Sequence, residues 1–107
     1  MTWRVEILDH RVVKELDALA QDVRQRFLRI SELIERHGMA SMHEPYVKHL
    51  EGKLSEMRMK GKDGIARAIY VTAKGERVIV VHAFVKKTHK TPQSALEIAR
   101  KRAKEVT

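Results

Sequence analysis

The 107-residue chain has no cysteine. That excludes disulfide frameworks, thiolate-ligated zinc and thiol catalysis. Its five glycines are scattered; none makes a GxGxxG fingerprint or a P-loop, so the usual backbone cradles for nucleotide phosphates are missing. No apolar run approaches the roughly 18 residues of a membrane helix, which excludes a spanning segment. The opening MTWRVEILDH carries charges and no apolar signal core, so a cytoplasmic protein without a membrane partner is expected. Six histidines are present, yet none forms HExxH or a short metal-spaced pair; His43 and His49 stand six apart in a loop. No Ser/His/Asp arrangement suggests itself, and helix carboxylates such as Glu32 and Glu35 read as solvated surface. Neither a metal nor a cofactor is called for. Acidic residues are also in deficit: 14 Asp and Glu face 22 Lys and Arg, giving a net charge of +8. That surplus points to a polyanionic partner such as RNA, DNA, the ribosome or an acidic protein.

The length fits one domain, residues 1–107, with one core. Residues 3–8 alternate, with Trp3, Val5 and Ile7 on one face, and predict a half-buried strand. Val12, Leu16, Leu19, Val23, Phe27, Ile30 and Ile34 then step by three or four as one apolar stripe. The stripe predicts two helices, 10–19 and 22–37, joined at Ala20-Gln21, with Asp22 and Gln25 as a capping box and Gly38 as the stop. Residues 39–53 keep no period and predict a surface connection. Strands are expected over 54–59, 65–71 and 78–85, joined by short Gly-bearing links. A last helix, 92–105, has Thr91 as N-cap and Pro92 at its first position. The expected architecture is α+β, ordered β-α-α-β-β-β-α, with a helical hairpin packed on one face of an antiparallel sheet.

The strand of Val78 to Val85 runs straight into Lys86, Lys87, His89 and Lys90 beside a helix start, a placement suited to phosphate. Alternation puts Leu54, Glu56 and Arg58 on one face, Ile65, Arg67, Ile69 and Val71 on another, and Val78, Val80, His82, Phe84 and Lys86 on a third. If these faces coincide, Arg58, Arg67, His82 and Lys86 cluster beside Phe84. Glu56 pairing with Arg58 or Arg67 would be a structural ion pair; for Arg58 that reading and a functional one weigh equally. Arg67, between Ala66 and Ala68, reads as accessible and functional. His82 reads as a hydrogen-bonded core group. His89, among lysines that would lower its pKa, is the better acid/base candidate. RNA can be cut without metal, its own 2′-OH attacking while Arg, Lys and His orient it, move protons and stabilise charge.

Leu-x-Glu-Met-Arg (Leu54 to Arg58), Gly-x-x-Arg-x-x-Tyr (Gly64 to Tyr70) and His-Ala-Phe-Val-Lys-Lys-Thr-x-Lys-Thr-Pro (His82 to Pro92) together resemble the RelE/HigB toxins. The likeness is nearest to the phage-derived HigB-like branch of the ParE/RelE superfamily. It implies a RelE-like fold and the toxin of a type II toxin–antitoxin pair, with a cognate helix-turn-helix antitoxin. It further implies an mRNA endoribonuclease that stops translation at the ribosomal A site. By motif position the family's lysines fall near Lys48 and Lys53, its strand arginine on Arg67 and its basic position on Lys87, with Lys86 adjoining. Joined to the reading of the residues, this gives Arg67, Lys87, His89 and Lys53 as catalytic candidates and Lys48, Arg58, Phe84, Lys86 and Lys90 as RNA-binding ones. The C-terminal tyrosine of some relatives has no counterpart, since that region reads Gln93-Ser94-Ala95. The general base stays open. The same fold also hosts ParE-type toxins that inhibit gyrase by protein binding, and a binding module without activity would carry the same charge.

Overall fold

The computed structural model describes residues 2–86 and 90–106. Strand β1 (Arg4–Ile7) leads into α1 (His10–Asp17) and α2 (Gln21–His37). A short 3-10 turn follows, then β2 (Val47–Glu51), β3 (Leu54–Gly61), β4 (Gly64–Ala73), β5 (Arg77–Lys86) and α3 (Gln93–Ala103). The strands form one sheet in the order β1-β5-β4-β3-β2. β1 is parallel to β5 and the other neighbours are antiparallel. The fold class is α+β as expected, with two corrections: the sheet is mixed, and β2 stands inside the segment expected to be a surface connection. VKHLE shows no strand period of its own; it becomes a strand by pairing with β3, Val47 opposite Met57 and Lys48 opposite Glu56.

The hairpin stripe is buried throughout, from Val12 to Ile34. It packs on Met57, Met59, Ala66, Ala68, Tyr70, Val78, Val80 and Ala83 of the sheet. Asp9 caps α1, accepting the Arg11 N–H at 3.0 Å. α2 begins at Gln21 without a side-chain cap. The expected capping box at Asp22 is not made; its carboxylate instead accepts the Lys62 N–H of the β3–β4 turn at 2.6 Å. That docks the helix start against Gly61, where an added Cβ would lie 2.6 Å from Val23 Cγ2. Glu35, expected to be mere surface, accepts the Val5 N–H at 2.9 Å. It satisfies a donor on the outer edge of β1.

The second face carries Leu54, Ile69, Val71, Ile79 and Val81 under Ala95, Leu96 and Ala99 of α3. Small residues let α3 lie close, and ion pairs tether it: Arg100 to Glu51 at 2.7 Å, Arg102 to Glu15 at 2.9 Å and, just past its end, Glu105 to Arg11 at 2.8 Å. Thr91 does not cap α3, whose N-cap is Pro92; its hydroxyl donates to Glu56 instead, at 2.9 Å.

The β4–β5 ladder contains a bulge. Ile69 lies opposite His82, but Tyr70 lies opposite Val80, leaving Val81 as the extra residue. The strand slips by one, so Val78 and Val80 face the hairpin while His82, Phe84 and Lys86 face the other way. The expected common face from Val78 to Lys86 is therefore split in two. Beyond the end of β1 the outer edge of the bulge is capped. Glu15 accepts the Ala83 N–H at 3.1 Å, and Arg102 donates to the Val81 carbonyl at 2.9 Å.

Ile30 is fully buried whereas Leu28, on the same helix, is 62% exposed. Ile30→Ala is expected to lower stability by about 2–5 kcal/mol in chemical denaturation, and Leu28→Ala by no more than about 0.5 kcal/mol.

Candidate functional site

α3 covers one end of the second face and leaves the other end to charged residues. Register places Arg58 opposite Arg67, and Arg67 opposite Phe84. Lys86 stands opposite Ile65, and Lys48 opposite Glu56. The sheet thus assembles Arg58, Arg67, Phe84, Lys86 and Lys48 around Glu56; the three strand faces that the sequence left unrelated do coincide here. Phe84 stacks on His82 with ring centroids 5.2 Å apart. His82 is buried, its Nδ1 3.0 Å from Glu15 Oε1, as expected of a core histidine.

Arg67 is not accessible in the way its neighbours suggested. Ala66 and Ala68 point into the hairpin core, and Arg67 is only 2% exposed. Its Nε lies 2.9 Å from Glu56 Oε2, itself on a residue 1% exposed. The pair lacks the alignment of a hydrogen bond, and Nε and Nη1 are buried without a hydrogen-bond partner among the described residues. The structural pairing open for Arg67 in the sequence is therefore made, yet it leaves part of the fork unsatisfied. Buried donors of this kind are costly unless something binds them. Burial holds the guanidinium below the usual arginine range; Glu56 opposes that shift and Arg58 adds to it.

Two recesses flank the pair. One, of about 280 Å³, is lined by Arg67, Arg58, Lys60, Ile65, Tyr46, Pro45 and Arg26. The other, of about 310 Å³, is lined by Glu56, Lys48, Lys86, Lys90 and Thr91, with His49 and Leu50 of β2 and Gln93 and Leu96 of α3. Lys90 thus joins the cluster. Lys53 does not. It sits in the β2–β3 turn next to Leu54, five residues along from Arg58, about 17 Å at strand rise. Lys87 and His89 lie outside the described residues. Lys60, Tyr46 and Arg26 were not singled out from sequence. Lys60 shares the period-2 face of Arg58 and was legible there, whereas Arg26 on α2 gave no signal beyond a charged helix face. A larger groove of about 410 Å³ runs between α1 and α2 past Ile7, remote from this cluster.

The arrangement is a cationic face around one carboxylate. Its sheet and helices define a RelE-like fold. One chain in the crystal structure of the archaeal RelE-RelB complex from Pyrococcus horikoshii OT3 is similar at 28% identity and a TM-score of 0.59, over 81% of this chain and 98% of that one. No curated protein matches the chain. Residues 14–104 match the family described as phage derived protein Gp49-like, and the chain belongs to that family.

Lys86 provides a pH test. Burial, and then the fields of Arg67, Arg58 and Lys48, hold its ammonium below the ordinary 10.5, with Glu56 opposing. Below that depressed value the charged form weighs against folding. Between it and 10.5 the unfolded chain binds more protons, so stability rises with pH. The buried Tyr70 phenol, pushed up to about 12, makes stability fall over the same range, so the test is a difference: on approaching pH 10.5 the wild type is expected to gain stability relative to Lys86→Met. Polyphosphate, which favours the charged amine, should abolish the difference.

Proposed function

We propose that this chain is the toxin of a type II toxin–antitoxin system, of the HigB-like branch, and that it acts as a metal-independent mRNA endoribonuclease. One observation carries the reading: a buried guanidinium with unsatisfied donors stands at the centre of a face where Arg58, Lys86, Lys48 and Lys90 converge. Such a face suits a phosphodiester more than an uncharged substrate. Arg58 and Lys86, half-buried on either side, are the first groups a phosphate meets. Arg67 lies beneath them as a permanent charge, fixed by two strands. When the RNA 2′-OH attacks phosphorus, negative charge builds on the phosphoryl oxygens, and preorganised cations stabilise it at little cost in reorganisation. Phe84 offers an aromatic surface beside the phosphate. Proton transfer falls to Lys87 or His89, which follow Lys86 in the chain.

The target in this reading is mRNA in the ribosomal A site, where cleavage stops translation in the cytoplasm. The inhibitor is a cognate helix-turn-helix antitoxin whose acidic segment covers the basic face, since the toxin carries +8. The similarity to a chain of a RelE-RelB complex supports such a partner.

Removing Arg67 alone would strand the buried carboxylate of Glu56, so the informative variant removes both charges. Glu56→Leu with Arg67→Met exchanges the pair for apolar groups, a change proteins often tolerate. This double variant is expected to melt cooperatively and to lose about a hundredfold or more in RNA cleavage, with or without ribosomes. Arg58→Ala and Lys86→Ala should each weaken RNA binding and reduce its log–log salt slope by about 0.7. Full cleavage by the folded double variant would remove this site from the reaction, and growth arrest by a wild-type protein that cleaves no RNA would favour a ParE-type, gyrase-directed protein.

A further inference from the structure

The 280 Å³ recess beside Arg67 has a composition the phosphate chemistry does not use. Its cations, Arg26, Arg58 and Lys60, surround an apolar floor made by Tyr46, Ile65 and Pro45. No carboxylate lines it. Tyr46 is 42% exposed and Ile65 36% exposed, although most large apolar side chains of the sheet are covered. Arg67, nearly fully buried and with Nη1 unpartnered among the described residues, lines the same recess. The volume approaches the lower bound of about 300 Å³ for small-molecule sites.

The location also matters. β2 follows the outer edge of β3 only as far as Met57, opposite Val47. Past that point Tyr46 takes over, its carbonyl accepting the Arg58 N–H at 2.9 Å. The recess therefore lies where the edge of β3 emerges from β2, with Arg26 approaching from α2. A chain crossing Arg58 can leave the sheet here.

We infer that this recess is a single-nucleotide subsite: it takes one unstacked base of an RNA strand on Tyr46 and Ile65, and Arg58, Lys60 and Arg26 hold the phosphates on either side of that base. The inference rests on the ribonuclease reading and deepens it, because the base seated here would set which phosphate lies over Arg67. Single-stranded recognition has these parts, an aromatic platform for a base and cations along the backbone. An acidic peptide would use the cations but would not require a flat, exposed phenol among them.

The test is fluorescence anisotropy with labelled oligoribonucleotides of one length at low salt: the four homopolymers and an abasic strand of equal charge. The proteins are the wild type, Tyr46→Phe, Tyr46→Ala and Arg58→Ala, each checked by thermal melt. The wild type should bind at least one homopolymer more tightly than the abasic strand. Tyr46→Ala should lose about 5- to 150-fold in affinity for that homopolymer, leave abasic binding and the salt slope unchanged, and stay folded. Tyr46→Phe should retain the preference. Arg58→Ala should weaken all strands alike. Equal binding of abasic and base-bearing strands, or an unaffected Tyr46→Ala, would overturn the subsite while leaving the cationic site standing. Failure of every strand to bind, with Arg58→Ala indistinguishable from wild type, would overturn both. Tyr46→Ala weakening only an acidic protein partner would make the recess a protein-docking site instead.

Discussion

Glu56 and Arg67 meet under the sheet surface, and their contact sets the terms for everything around it. A carboxylate and a guanidinium withdrawn from water cost several kcal/mol each in solvation, and the fold recovers that cost only in part. Glu56 spends one oxygen on Arg67 Nε and the other on the Thr91 hydroxyl. The same carboxylate thus joins β3 to β4 and fastens the segment that leads into α3. Arg67 is left over-supplied with donors, and Arg58 beside it adds a second charge. The pair is consequently less a bolt than a bias: it fixes where positive potential is concentrated without neutralising it.

The two faces of the sheet are treated differently. The hairpin seals its face with large aliphatic side chains from end to end. α3 touches the other face through Ala95, Leu96 and Ala99 and relies on arginines at its rim. A longer or bulkier helix there would bury Lys48, Lys86 and Phe84. The economy of α3 is what leaves that end of the face to Lys48, Lys86 and Phe84.

Much of this was legible from residue order. The hairpin stripe repeats at a helical period and could face only one apolar partner, so it was correctly placed. Alternation put Arg58, Arg67 and the Phe84–Lys86 set each on one face of its own strand, but only the register between the strands shows that the three faces coincide. β2 was missed because a strand that owes its form to a neighbour's edge need not alternate. Arg67 was misjudged for a related reason. Small flanking residues on a strand describe the opposite face, where Ala66 and Ala68 admit the hairpin, and say nothing of cover on its own side. The resemblance by motif placed Lys53 in the site, but strand length carries it away. Arg26 and Tyr46 come from a helix surface and an aperiodic link, and only the tertiary fold brings them to one recess.

The bulge at Val81 sets the polarity of the last strand. Val78 and Val80 belong to one side of the protein, His82, Phe84 and Lys86 to the other, and a single surplus residue makes the change. Chain length there is a form of information independent of side-chain identity. Removal of Val81 would restore plain alternation, with Val80 still opposite Tyr70 and His82 still opposite Ile69, so both faces would keep their side chains. A strand of the present length that paired without the bulge would instead turn its outer half over, driving Lys86 and Phe84 toward the aliphatic hairpin and presenting Ala83 and Val85 where the cations had been. In this strand spacing counts for as much as chemistry.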